Sequence, residues 1–150
     1  MRDFLLFLHI LGAGTWLGAN VAQIVSSSTM GGSGGLIAAA WYRTSLTLGR
    51  YVYGPAGILI IATGIFLVTT SDGAFEFSDL FVTIGFVVVI IGIVLGITVF
   101  GRQGMAAADA AERGDTSVLQ RARGRLAGFG VLDTLLVAFT IYAMVAKLGS

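Results

Sequence analysis

The chain has 150 residues, of which 56% are hydrophobic and only 11% are charged, and its formal net charge is +1. Soluble domains carry about 25% charged residues, so this chain lacks the polar side chains that a fully hydrated surface needs. The absence of cysteine excludes disulfides, thiolate metal centres and iron–sulfur clusters. The single histidine excludes a multi-histidine metal site within one chain.

Four apolar runs approach the length of about 20 residues that a helix needs to cross a bilayer. They cover residues 4–25, 52–68, 80–100 and 127–146. Helices are expected, because backbone exposed to lipid has to satisfy its own hydrogen bonds and no run alternates as a barrel strand would. The sequence therefore predicts an all-α fold, a transmembrane four-helix bundle that forms a single domain over residues 1–150. A cleaved signal peptide is the alternative for the first run, but that run is long and ends without a small-x-small site.

The first connection combines a flexible part and an amphipathic part. Residues 26–35 are rich in Ser and Gly, which is typical of a flexible link. Residues 36–50 mix apolar residues with Trp41 and Tyr42, so we expect an additional short interfacial helix between spans one and two, with its aromatic rings at headgroup level. Pro55, the only proline, is expected to begin or kink the second span.

The third connection predicts a helical hairpin. Residues 103–113 favour a helix. Gly114 is a suitable helix stop, and Asp115 or Thr116 is a suitable cap for the next helix. We therefore expect spans three and four to extend beyond the bilayer and to turn near Gly114.

Basic residues are concentrated in the first and third connections, which lie on one side of a four-span protein. Together these connections hold seven of the nine basic residues, whereas the second connection is acidic. Arginine-rich connections stay in the cytoplasm, so the pattern predicts a bacterial inner-membrane protein with both termini outside. The arginine cluster at residues 121–125 is interpreted as an anchor at anionic headgroups, with no nucleic-acid partner.

The first span carries a polar stripe. His9, Trp16 and Gln23 are spaced by seven residues, and Gly12 and Asn20 fall on the same side of a helix. The opposite side is apolar. We therefore expect the stripe to face protein and the other side to face lipid.

Depth matching places a first polar layer near the outer surface. His9 in span one should lie near the level of Thr140, Tyr142 and Met144 in span four. His9 is a candidate axial ligand of haem b, with Met144 as a second ligand and Trp16 as a neighbour of the cofactor. The alternatives are a proton relay or a plain polar contact, and Trp16 is interpreted first as a packing residue.

The second polar layer lies toward the inner end. Asp133 in span four should lie near the depth of Asn20 and Gln23. A carboxylate within the membrane is costly, so Asp133 should be protonated or hydrogen-bonded to Asn20, Gln23 or a hydroxyl. Two interpretations remain: a hydrogen bond that ties span four to span one, or a proton or cation site.

Glycine pairs at a spacing of four recur along the chain and allow helices to approach closely. They are Gly14 with Gly18, Gly92 with Gly96, and Gly124 with Gly128. The pairs predict close packing within the chain or between chains, and thus a homo-oligomer or a larger membrane complex.

Residues 9–18 (HILGAGTWLG) resemble the first-helix signature of a superfamily of small bacterial membrane proteins. This superfamily includes the copper-resistance D membrane domain and the membrane-bound protoporphyrinogen oxidase, and the chain is most similar to a four-span branch of unknown function. The later positions that share the branch's pattern are Pro55, Thr63 with Gly64, Arg102, Gly114 with Asp115, and Tyr142 with Met144. The resemblance implies a bundle built round the His9 helix and raises the expectation of haem there. The chain has no Cys and no Met or His cluster to handle copper.

No complete catalytic motif is present, and no metal site is expected. We predict an integral membrane protein that is a structural or accessory subunit of a membrane complex and has no catalysis of its own. The first alternative is a haem-binding redox protein that uses His9. The second is a small proton- or ion-coupled transporter that uses Asp133.

Overall fold

The computed structural model describes residues 1–149, and this part of the chain folds into helices without strands. Four long helices follow one another: α1 (Arg2–Thr29), α2 (Gly35–Thr69), α3 (Leu80–Arg113) and α4 (Thr116–Val145). All four are long and apolar enough to cross a membrane. The predicted all-α bundle is confirmed, and the chain has the architecture of a multi-pass membrane protein.

The second and third helices are much longer than their predicted spans, because each continues through a π-helical segment. In α2 the α-helical part Gly35–Leu48 passes through π-helical Gly49–Tyr53 into Gly54–Thr69. The expected short helix before span two is therefore present, but it runs into that span without a break. Pro55 lies in the first turn after the π segment and does not end the helix, which continues to Thr69.

The helix α3 has the same construction. Its α-helical part Leu80–Leu95 is followed by π-helical Gly96–Phe100 and then by Gly101–Arg113. Each π segment adds a residue to a helical turn, so the two parts of each long helix present different faces.

The π segments divide the bundle into two halves with different contacts. In one half, Gly35–Leu48 of α2 packs against Gly101–Arg113 of α3, and this part of α3 also packs against α4. We call the core of this half the alanine cluster; it consists of Ala38, Ala39, Trp41, Tyr42, Ala107, Ala108, Ala110, Ala111, Leu119 and Ala122. Trp41 and Tyr42 are buried in this cluster, where they pack against the other helices.

In the other half, which we call the Trp16 half, α1 takes the central place. It packs against Gly54–Thr69 of α2 and against α4, and α4 packs in turn against Leu80–Leu95 of α3. The long helices thus change partners between the halves. Trp16 is buried in the core of this half together with Val88 and Val137.

The turn between α3 and α4 lies where the sequence predicts it. Gly114 ends α3 in the left-handed conformation, with a φ of 70°, which glycine adopts without strain. The Asp115 side chain caps α4 by accepting a hydrogen bond from the backbone N–H of Val118, at 3.1 Å. The predicted helical hairpin is confirmed.

Candidate functional site

The polar stripe of α1 faces the interior of the bundle. His9, Gly12, Trp16 and Asn20 are the buried residues of this helix, and their spacing of three or four residues places them on one face. Gly12 lets α2 approach, since a Cβ built there would lie 2.9 Å from Cγ1 of Ile60. The stripe thus faces protein, as its residue types predict.

Asp133 of α4 meets this stripe at its centre and is only 3% exposed. Its Oδ2 atom accepts hydrogen bonds from Trp16 Nε1 at 3.0 Å and from Asn20 Nδ2 at 2.8 Å. The expected bond between α4 and α1 is therefore present, and it has a second donor in Trp16. Within residues 1–149, the Oδ1 atom of Asp133 is buried and has no hydrogen-bond partner.

Asn20 extends the contact of Asp133 into a longer series of hydrogen bonds. Tyr53 donates its hydroxyl proton to Asn20 Oδ1 at 2.8 Å, and Gln23 Nε2 donates to the Tyr53 hydroxyl oxygen at 3.1 Å. Ser45 donates its hydroxyl proton to Gln23 Oε1. We call this series, Ser45–Gln23–Tyr53–Asn20–Asp133, the polar chain. Three hydrogen bonds separate Gln23 from Asp133, so these two residues are linked through Tyr53 and Asn20 and are not in direct contact.

The Trp16 ring lies between α2 and α3, and each of these helices has a glycine at the point where the ring packs against it. A Cβ at Gly57 of α2 would lie 3.1 Å from Cζ3 of the ring, and a Cβ at Gly92 of α3 would lie 2.6 Å from Cζ2. Tyr53 packs edge-on against Trp16, with ring centroids 5.7 Å apart. These contacts fix the indole so that its N–H points to Asp133.

His9 lies at the other end of the stripe, against the Thr63–Gly64 pair of α2. Its Nδ1 atom is 2.9 Å from the Thr63 hydroxyl oxygen, and that hydroxyl donates its proton to the carbonyl of Leu59 at 2.6 Å. Because the hydroxyl has only one proton, Nδ1–H of His9 must be the donor to Thr63. The imidazole is thereby oriented through Nδ1, and Nε2 is the ring nitrogen with a free lone pair when the ring is neutral.

A small cavity of about 40 Å³ lies beside His9. Thr140 and Met144 of α4 line it, as the depth matching with His9 predicts, and Trp16 lines it as well. Gly85 of α3 leaves the space that the end of the Met144 side chain fills. A cavity needs about 10–15 Å³ to hold one water molecule, so this cavity has room for about three water molecules.

The cavity does not fit haem, although the sequence suggests His9, Trp16 and Met144 as its neighbours. Cofactor pockets have volumes of roughly 300–1,000 Å³, whereas this cavity has about 40 Å³. The helices would have to separate to admit a porphyrin, so we assign no redox step to this site. Among the described residues there is also no group of three or more His, Asp or Glu side chains that could hold a metal ion.

The site contains residues that the sequence analysis did not identify. Tyr53 is the central member of the polar chain, Thr63 orients His9, and Gly57 and Gly92 hold Trp16. Tyr142, by contrast, is exposed and takes no part in the site. The arrangement can hold a buried carboxyl group in a fixed place and can exchange a proton with it, but it has no nucleophile activated by a base.

The chain matches no family model, no curated protein and no solved structure.

Proposed function

We propose that the chain is a structural or accessory subunit of the bacterial inner membrane, which packs against a membrane helix of another subunit or of a second copy. The observation that carries this proposal is an unused glycine face on α1. A Cβ built at Gly14 or at Gly18 would have no atom within 4 Å, whereas Gly12 of the same helix is in close contact with α2. Glycines that face outward at this spacing let a helix of another chain approach closely.

A shallow groove accompanies the glycine face. Phe7, Ile10, Leu11, Gly14 and Thr15 line it. Apolar side chains on both sides of a glycine offer a membrane helix van der Waals contact, which is the main attraction between helices in lipid. The cavity beside His9 is much smaller, with a volume of about 40 Å³.

Cysteine crosslinking in native membranes tests the accessory role, because the natural chain has no cysteine to interfere. We expect Gly14→Cys to give a defined crosslinked species. The matched control is Ile97→Cys, which places a thiol at an exposed apolar position of α3, and it should not crosslink. Equal crosslinking at both positions, or none at either, would contradict the proposal.

A second variant separates folding from assembly. Gly14→Leu should abolish the complex and leave the fold intact, since the new side chain projects into open space. Gly12→Leu would instead push against Ile60 and is expected to disrupt the bundle itself. If the complex survives Gly14→Leu, another surface forms it.

The arginines support an orientation with the alanine cluster and the turn at Gly114 in the cytoplasm and both termini outside. A cysteine introduced beside Arg113 should then be protected from a thiol reagent that cannot cross the membrane of intact cells. Labelling at that position would reverse the orientation.

A second candidate function is proton binding within the membrane, as part of proton-coupled transport. The observation that favours it is the Oδ1 atom of Asp133, which is buried and has no partner among residues 1–149. Metal cations such as Na⁺ or Ca²⁺ need several oxygen ligands, and Asp133 provides a single unpartnered oxygen. A proton needs only that one atom, so the proton is the ion that this site suits.

Transport can be measured with purified protein in liposomes that contain a pH-sensitive dye. Proton-coupled flux should depend on Asp133, and Asp133→Asn should abolish it while keeping the shape of the side chain. The control is Asp115→Asn, which changes a carboxylate at the exposed turn. Equal flux in the wild type and Asp133→Asn would remove this candidate.

A further inference from the structure

All hydrogen bonds of the polar chain point in one direction. From Ser45 to Asp133, each side chain donates to the next, and the last donor, Asn20, ends on Oδ2 of the carboxyl group. Trp16 adds a second donor to the same oxygen. No bond in the series runs the opposite way, so the dipoles of four hydrogen bonds are aligned toward Asp133.

The direction follows from the chemistry of the carboxylate. An ionised carboxylate can only accept hydrogen bonds, so Asn20 must present its NH₂ group to Asp133. Its carbonyl oxygen then has to accept from Tyr53, which fixes the position of the Tyr53 proton. The Tyr53 oxygen accepts in turn from Gln23, and the Gln23 carbonyl accepts from Ser45.

Aligned hydrogen bonds strengthen one another, because each donor is polarised by the one behind it. A donor that is polarised more strongly stabilises the negative charge of the carboxylate more, and donors to the charged form favour that form over the neutral one. A change at the far end of the series is therefore transmitted to the charge on Asp133 without direct contact.

We propose that Tyr53, Gln23 and Ser45 are positioning residues of the Asp133 proton site, and that they act through Asn20 to set the pH at which Asp133 takes its proton. The inference rests on the second function proposed above. The proton comes from water and bonds to Oδ1, the oxygen without a donor, and the carboxyl group becomes neutral. Oδ2 keeps the hydrogen bonds from Trp16 and Asn20 in both states.

Infrared spectroscopy of the purified protein in lipid nanodiscs tests this inference. Aspartate labelled with ¹³C marks the carbonyl band of a protonated carboxyl group, and the band of Asp133 is identified by its loss in Asp133→Asn. Titration of the band then gives the pH at which half of Asp133 is protonated.

Removal of the Tyr53 hydroxyl should raise that pH, because the carboxylate loses part of its stabilisation. We expect Tyr53→Phe to shift the midpoint upward by about half a pH unit, or roughly threefold in proton affinity. The matched control is Tyr51→Phe, which removes a hydroxyl from an exposed residue of the same π segment. The control variant Tyr51→Phe should have the same midpoint as the wild type.

A milder variant tests the far end of the polar chain and does not depend on how Tyr53→Phe folds. Ser45→Ala should shift the midpoint in the same direction by a smaller amount. Thr47→Ala removes an exposed hydroxyl two residues further along the same helix, on the opposite face, and should leave the midpoint unchanged. If Asp133 titrates but neither Tyr53→Phe nor Ser45→Ala moves the midpoint, the positioning role is wrong and the proton site stands. If the Asp133 band does not change with pH, both are wrong.

Discussion

The half of the bundle that contains the alanine cluster, which we call the alanine half, and the Trp16 half are built by different means. The alanine cluster has small apolar side chains packed against one another, and seven of its ten members are alanines. The Trp16 half contains one large ring, glycines shaped around it, and a buried polar chain. Five buried polar residues lie in the helices of the Trp16 half, namely His9, Asn20, Thr63, Asp133 and Thr140, and the buried Ser71 lies in the turn that follows α2.

The proposed placement, with the alanine half in water and the Trp16 half in lipid, would account for the difference. Where helices extend into water, burial of apolar surface drives them together, and small side chains suffice. Between helices in lipid this force is absent, because the lipid tails are as apolar as the side chains, so packing and hydrogen bonds have to hold the helices in place. The hydrogen bonds from Trp16 and Asn20 to Asp133 are therefore a structural link between α1 and α4.

The largest expected effect is in the Trp16 half, at Gly92. Gly92→Ala places a methyl group 2.6 Å from Cζ2 of Trp16, and the ring has no room to retreat because Gly57 faces its other side. We expect a loss of roughly 3 kcal/mol of stability. Thermal unfolding in detergent measures it, and the fluorescence of Trp16 in a Trp41→Phe background reports the shift of the ring.

The control for Gly92 is Gly128→Ala, where the added methyl group has no atom within 4 Å. It should be neutral or slightly stabilising, since alanine favours a helix more than glycine does. If both variants unfolded alike, glycine flexibility rather than the space for Trp16 would explain the result.

The next effect is expected in the alanine half. Ala107 is fully buried between helices, so Ala107→Leu has to push α2, α3 or α4 apart and should cost about 2 kcal/mol. Ala127→Leu, at an exposed position of α4, is the matched control. Unchanged stability in Ala107→Leu would mean that this half tolerates larger side chains and is less closely packed than the Trp16 half.

A smaller, pH-dependent effect on stability is expected at the turn between α3 and α4. The backbone N–H of Val118, and then the Ser117 hydroxyl, lower the pKa of Asp115 from its ordinary value. A carboxylate with a lowered pKa stabilises the fold above about pH 4, its unfolded value, and loses this contribution as the pH falls through the folded value. Asp115→Ala should therefore be less stable than the wild type at pH 7, with the difference vanishing in acid.

Chemical denaturation at several pH values measures the contribution of Asp115. Asp115→Asn keeps a capping oxygen and loses the charge. Its stability at pH 7 should therefore lie between those of the wild type and Asp115→Ala. A difference that stays constant down to the lowest pH would show that the charge of Asp115 contributes nothing.

The smallest effect is expected at the surface of the alanine half. Arg43 pairs with Glu112 at 2.8 Å and with Asp109 at 3.6 Å, and its side chain is 54% exposed. Exposed ion pairs contribute about 0.2–1 kcal/mol to stability, so Arg43→Gln should lower the free energy of unfolding by less than about 1 kcal/mol. High salt should remove the difference between Arg43→Gln and the wild type, and a difference that persists would point to packing of the side chain.

The sequence predicts much of this fold, because long apolar runs and a Gly–Asp stop and cap have clear local signals. It also predicts that Asn20 and Asp133 meet, since topology and residue counting determine their depth. Tyr53 was missed for a physical reason. It lies in π-helical Gly49–Tyr53, where the extra residue changes the helical phase, so a period of 3.6 residues does not show which way it faces.

The partners of Trp16 were missed for a different reason. Gly57 and Gly92 look like any other membrane glycines, and only the packing of three helices reveals that they make space for one ring. Thr63 likewise gives no sign in the sequence that it orients His9, although Thr63 and Gly64 belong to the pattern on which the resemblance rests. Pairing between side chains of different helices depends on how those helices rotate, which depth alone does not determine.

Trp16 belongs both to the lining of the cavity beside His9 and to the hydrogen bonds of Asp133. Its indole thus insulates a pocket large enough for water from a carboxyl group deep in the bundle. Trp16→Ala would merge the two into one hydrated compartment, and a membrane that contained this variant would lose its pH gradient faster than one with the wild-type protein.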